Sequence, residues 1–127
     1  MREEARLWLK QAEADLKTAE KLLEGQIFYA SVFFSHQCGE ESLKALWIQE
    51  RQGLPPKTHN LVMMVRELGG DEFLIDAAAE LAPEYILTRY ITPEVALPLE
   101  LYSERSARIH LDAARSIFDW ASAKMKG

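Results

Sequence analysis

A single cysteine, Cys38, leaves this chain without the means for an internal disulfide or a second thiol ligand for a metal. It reads as a small core residue. Histidine is also sparse: three residues lie in three separate segments, with no His-x-x-x-His or Glu-x-x-His pair. No metal site and no cofactor is therefore expected. Valine is scarce and nothing alternates apolar with polar over a strand's length, which argues against β structure. No apolar run is long enough to span a bilayer, so no membrane association is expected. Met1-Arg2-Glu3-Glu4-Ala5 opens directly on a helical pattern rather than on a signal-peptide core, which points to the cytoplasm. A surplus of basic charge is missing as well. Fifteen Lys and Arg against twenty Asp and Glu give a net charge of −5, which excludes broad grip on phosphate backbones but leaves room for a local basic pocket. Gly69-Gly70 is a bare turn, not a glycine-rich phosphate cradle.

What remains is a chain of 127 residues, 48% apolar and 28% charged, the composition of one globular domain over residues 1–127. Ala5, Trp8, Leu9, Ala12, Leu16, Ala19, Leu22 and Leu23 recur at threes and fours, predicting a helix from Arg2 to Leu23. Gly25 is placed to stop it in a left-handed conformation. A second helix is predicted from Ile27 to Gln52, ended by Gly53 and Pro55-Pro56. Its apolar residues, among them Phe28, Tyr29, Val32, Phe33, Phe34, Leu43, Leu46, Trp47 and Ile48, cover most of its girth. Such a helix is central in its bundle or supplies a surface to another subunit, and a homodimer is expected on that ground.

Leu61–Leu68 reads as a short third helix. Asp71 caps a fourth over Glu72–Leu81, and Ser103 caps a last one ending near Met125. Ala107, Leu111, Ala114, Phe118, Ala121 and Met125 step alternately by four and three, a clean core stripe. Pro83, Pro93 and Pro98 break up the stretch before it, leaving room for one helical turn around Tyr85 to Arg89. The fold class is all-α, an up-and-down bundle with one long irregular connection.

The second helix also carries polar groups where a dry stripe is expected. Gln37, Glu40 and Lys44 fall within roughly 60° of one another and share their sector with Ala30, Phe33 and Ile48. They must satisfy one another or hold a partner. Glu40 and Lys44, at i and i+4 in the favourable order, can form an ion pair. Alternatively, Lys44 offers a cation to a phosphate while Glu40 orients it. His59 follows Lys57-Thr58 where the third helix begins, with Thr58 expected as N-cap. There it either bonds a loop carbonyl or faces an anion at the helix end. His36, beside aromatic residues, reads as a packing or interface histidine. Arg89-Tyr90 lies in the irregular stretch, where an arginine can grip phosphate and a tyrosine can stack on a base or plug the bundle.

Gln37-x-x-Glu40-x-x-x-Lys44-Ala45, Lys57-Thr58-His59-Asn60-Leu61, Arg89-Tyr90 and Tyr102-Ser103 opening an alanine-rich last helix together resemble the HEPN family (higher eukaryotes and prokaryotes nucleotide-binding domain). The resemblance implies a five-helix bundle with a four-helix core that pairs into homodimers. It also implies a minimal nucleotidyltransferase as partner in a toxin–antitoxin-like arrangement, and a nucleotide ligand for which Arg89, Tyr90, Lys44, Glu40 and His59 are the candidate residues. The sequence departs from the family in two places: Glu41 stands where a basic residue is common, and Ile91 follows Arg89-Tyr90 in place of proline.

Arg105-Ser106-Ala107-Arg108-Ile109-His110 matches the Arg-x(4–6)-His pattern that marks HEPN ribonucleases, in which two motifs face each other across a dimer. The alternative function is therefore a metal-independent endoribonuclease acting on RNA. His110 would deprotonate a 2′-hydroxyl and Arg105 would stabilise the crowded phosphate. Residues five apart on a helix differ by about 140°, so one chain alone does not converge the two groups.

Overall fold

The computed structural model describes residues 1–51, 53–83 and 97–127. Among these it contains five α-helices and no strand: α1 (Glu3–Glu24), α2 (Phe28–Arg51), α3 (Leu61–Glu67), α4 (Glu72–Leu81) and α5 (Glu104–Lys126). A single 3-10 turn, Pro98–Glu100, precedes α5. The all-α reading and the positions of all five helices hold. The helical turn considered around Tyr85 to Arg89 lies outside the described residues.

The ends of these helices follow from local chemistry. The Asp71 carboxylate accepts from the Leu74 N–H at 3.0 Å. Ser103 forms a capping box with Ser106, each side chain accepting the other's backbone N–H, at 3.2 and 2.8 Å. Two other ends differ from the sequence reading. Gly25 has φ −81°, and the left-handed residue after α1 is Gln26, at φ 63°. The Ile27 N–H reaches back to Leu22 O at 2.9 Å and the Gln26 N–H to Leu23 O at 3.0 Å, the paired bonds of a Schellman stop. Those bonds need one left-handed residue after the cap, and the chain places Gln26 there, one position past its glycine. At α3 the cap is Asn60 rather than Thr58. The Asn60 side chain accepts from the Met63 N–H at 3.0 Å, while the Thr58 hydroxyl accepts from the Asn60 N–H at 3.0 Å.

α2 runs through the middle, packed against α1 and α5 along its length and against α3 and α4 at one side. Its dry stripe is not the aromatic one. Val32, Leu43, Leu46 and Ile48 are buried, but so are Ser31, Ser35, His36, Cys38, Gly39, Glu40, Glu41 and Ser42, whereas Phe28, Phe33, Phe34 and Trp47 are only half-buried and Tyr29 is exposed. Small side chains let the neighbours come close. The Ser31 hydroxyl donates to Ala19 O at 2.8 Å and Ser42 to Cys38 O at 2.7 Å, so neither is left unsatisfied. A methyl group on Gly39 would sit 2.9 Å from Leu81 Cδ1, so the glycine lets α4 approach α2 closely there. The α5 stripe is buried as read, with Phe118 at its edge half-buried.

A non-glycine residue in the left-handed region costs roughly 1–2 kcal/mol. Gln26→Gly is therefore expected to stabilise the chain by about 1 kcal/mol and to raise the melting temperature by roughly 3–5 °C. An unchanged or lower melting temperature would show that Gln26 carries no such strain.

Candidate functional site

The middle of α2 and the loop before α3 bring three of the sequence-predicted residues together. Glu40 and Lys44, one turn apart, form an ion pair with Oε2 to Nζ at 3.3 Å. Both side chains are largely covered, with 9% and 14% of their surface exposed. Glu40 Oε1 lies 2.5 Å from Nδ1 of His59, which approaches from the loop and keeps nearly half of its own surface exposed. A carboxylate only accepts, so Nδ1 carries the proton and donates. One carboxylate thus takes a bond from its own helix and another from a loop nineteen residues on. Lys44 Nζ also stands 5.5 Å over the ring of Trp8 on α1, a cation–π contact.

His59 is held in place by short-range geometry. The Thr58 N–H bonds Pro56 O at 2.9 Å, the Leu61 N–H bonds His59 O at 3.1 Å, and Leu61 is fully buried beyond it. The Nδ1 of His59 is therefore presented to Glu40. α3 has seven residues, and Asn60 occupies the end that the sequence offered to an anion. His36 is buried, its ring 6.4 Å from that of His59. Gln37, in the same sector, is half-buried. Arg89 and Tyr90 lie outside the described residues.

The Arg105 and His110 pair is arranged differently. His110 is 5% exposed; its Nδ1 donates to Ser106 O at 2.5 Å, and its Nε2 lies 3.7 Å from Glu80 of α4. The Tyr102 ring meets it edge-on at 6.2 Å. Arg105 is exposed on the surface of α5.

A second buried carboxyl went unrecognised in the sequence. Glu41 lies near Asp15 of α1, and Asp15 Oδ1 accepts from Gln11 Nε2 at 3.0 Å. The Oε1 of Glu41 has no hydrogen-bond partner among the described residues. Burial, followed by the neighbouring Asp15 and Glu40, pushes the Glu41 carboxyl up to about 9, so it is protonated and neutral at pH 7. The visible signal was Asp15 itself: it stands between Ala12 and Ala19 inside the apolar stripe of α1, where a lone acid needs a donor. Burial likewise pushes the Cys38 thiol up to about 12, which leaves it an inert core residue, as its sequence context implied.

A bundle with a long first hairpin, a capped last helix and this polar network on α2 is the architecture that the family comparison identifies. The model for the HEPN domain matches residues 5–125, and the chain belongs to that family. It is 28% identical to a protein of Methanocaldococcus jannaschii named "Putative toxin MJ1304", over 91% of this chain and 84% of that one. Its structure is similar to the crystal structure of TT1696 from Thermus thermophilus, with a TM-score of 0.85 and 28% identity over 97% of this chain and 99% of that one. It is also similar to ST0689, an archaeal HEPN homologue, with a TM-score of 0.82 and 28% identity over 98% and 99% of the two chains. No described helix is long and apolar enough to cross a membrane.

Two measurements follow from this geometry. Glu40→Gln removes the counter-ion of a nearly buried Lys44 and should destabilise the chain by about 1.5–3 kcal/mol in chemical denaturation. A loss under about 0.5 kcal/mol would reduce the pair to a surface contact. Glu41 loses its proton near its ordinary value of 4.5 when unfolded but holds it to about 9 when folded. The unfolded chain therefore binds fewer protons between those values. Stability should be fullest below pH 4.5 as far as this group is concerned, and should fall as pH rises towards 9. Glu41→Gln is expected to flatten that decline and to be the more stable protein at about pH 8. Parallel pH profiles for the two proteins would contradict it.

Proposed function

We propose that this chain is the HEPN member of a toxin–antitoxin-like pair: a cytoplasmic, dimeric binding module of one domain whose protein partner is a minimal nucleotidyltransferase. The family match, with a relative named as a toxin that the chain covers over 84% of its length, supports the toxin-like assignment. The binding reading is carried by one observation: Glu40 holds both Lys44 and His59, from two elements, around a single carboxylate. Such a network gives a nucleotide phosphate a rigid edge to bind, with Lys44 still owning further N–H donors and His59 reaching solvent. Arg89 and Tyr90 are the residues proposed to complete that nucleotide site.

A second reading, endoribonuclease action on RNA by Arg105 and His110, draws support from the tautomer of His110. With Nδ1 tied to Ser106 O, the basic nitrogen is Nε2, the arrangement a general base needs. It requires a second subunit to bring its own motif opposite.

Expression of the chain alone is expected to arrest bacterial growth, and co-expression of the minimal nucleotidyltransferase from the same genome to restore it by forming a stable complex. No arrest, together with no complex on co-purification, would overturn the paired-module reading. Arrest abolished by His110→Ala, with RNA cleavage in EDTA by the wild-type protein only, would replace binding with the ribonuclease. Titration with a nucleoside triphosphate should give binding that Lys44→Ala weakens about tenfold. Equal affinities would remove the phosphate role of Lys44.

A further inference from the structure

The outer faces of α4 and α5 carry the same spacing of side chains. On α4, Phe73, Asp76, Ala77 and Glu80 stand at i, i+3, i+4 and i+7; on α5, Ile109, Asp112, Ala113 and Ser116 repeat that interval. The two stripes enclose an open groove of about 350 Å³. Its floor is alanine on both sides, so the helices leave space between them, and its walls are Phe73 and Ile109. These apolar residues are 67% and 43% exposed, although nothing in helix formation requires a phenylalanine at that surface. The rim is acidic. Asp76 has no partner among the described residues, Glu80 has only the Nε2 of His110 at 3.7 Å, and Asp112 pairs with Arg115 at 3.2 Å. No lysine or arginine lines the groove among the described residues.

We infer that this groove docks a basic amphipathic helix of the partner protein. Its apolar side would lie over Ala77 and Ala113 between Phe73 and Ile109, with its flanking lysines or arginines meeting Asp76 and Glu80. The inference rests on the partner reading above and names the surface that reading needs. The charge pattern selects the occupant. RNA is repelled by the rim, and a second copy related by a two-fold axis sets acid against acid. α4, at ten residues, presents about 15 Å of wall, room for roughly three turns of a docked helix, the length that helix-in-groove recognition uses.

The test uses the full chain, ¹⁵N-labelled, and two synthetic helical peptides with leucines at i, i+4 and i+7, one flanked by lysines and one by glutamates. The lysine peptide should perturb amide resonances along α4 and α5. Phe73→Glu should abolish that binding, and Asp76→Lys with Glu80→Lys should weaken it about tenfold or more. All three positions are exposed, and circular dichroism of the variants checks that they stay folded. Perturbations centred elsewhere, equal binding of the glutamate peptide, or indifference to these variants would overturn the assignment. So would groove resonances that shift with protein concentration alone, which would give the groove to a second copy. Co-purified nucleotidyltransferase separates the two claims. Capture by wild type and Phe73→Glu alike removes the groove and keeps the partner. Capture by neither, with the lysine peptide still mapped to α4 and α5, removes the partner and keeps the groove.

Discussion

Glu40 sits where the central helix of a small bundle must take polar groups into its interior, and what it bonds fixes how the rest of the chain is arranged. One oxygen holds Lys44 a turn further along α2, and the other holds His59 at the entrance to α3. The first contact keeps a cation dry beside Trp8; the second sets where the chain re-enters the bundle after Pro55-Pro56. Removing either partner would strand charge in a region that Leu43, Leu46 and Leu61 keep apolar. The neighbouring Glu41 solves the same difficulty in the opposite way. Burial beside Asp15 and Glu40 keeps its proton on.

Much of this was legible in the residues. The four-three alternation on α5, the capping residues Asp71 and Ser103, and the i, i+4 order of Glu40 and Lys44 each translate directly into geometry, because each depends only on residues within two helical turns. The misreadings share a cause. Gly25 is the better left-handed residue by type and Thr58 an acceptable N-cap, yet Gln26 and Asn60 occupy the positions at which the bonds close. Residue preference names a candidate; the register of the turn decides. The Asp15 and Glu41 pair was missed for a different reason: it joins two helices, and the one local signal, an acid inside the apolar stripe of α1, does not name its neighbour. The aromatic residues of α2 misled in proportion to their size. Serine, glycine and alanine allow the close approach of α1, α4 and α5, and the rings are left at the margin.

Membership of the HEPN family brings together the bundle, the polar network and the α5 motif, but it does not make them one site. Glu40, Lys44 and His59 belong to the middle of α2 and the loop after it. His110 lies against α4, its imidazole pinned by Ser106 O and facing Glu80. The groove on the outer side of α4 and α5 shares Glu80 with that histidine, so a partner seated there would press on the residue that His110 faces.

If the contacts of Glu40 with Lys44 and His59 hold the bundle together, the middle of α2 is the last part of the chain to open. Native-state hydrogen exchange measures that directly. Amides from Ser35 to Leu46 should exchange only through global unfolding, with the same denaturant dependence as the whole chain, while those of α3 and α4 open earlier. Exchange of the α2 amides through a smaller, local opening, ahead of α4, would contradict the central place given to this helix.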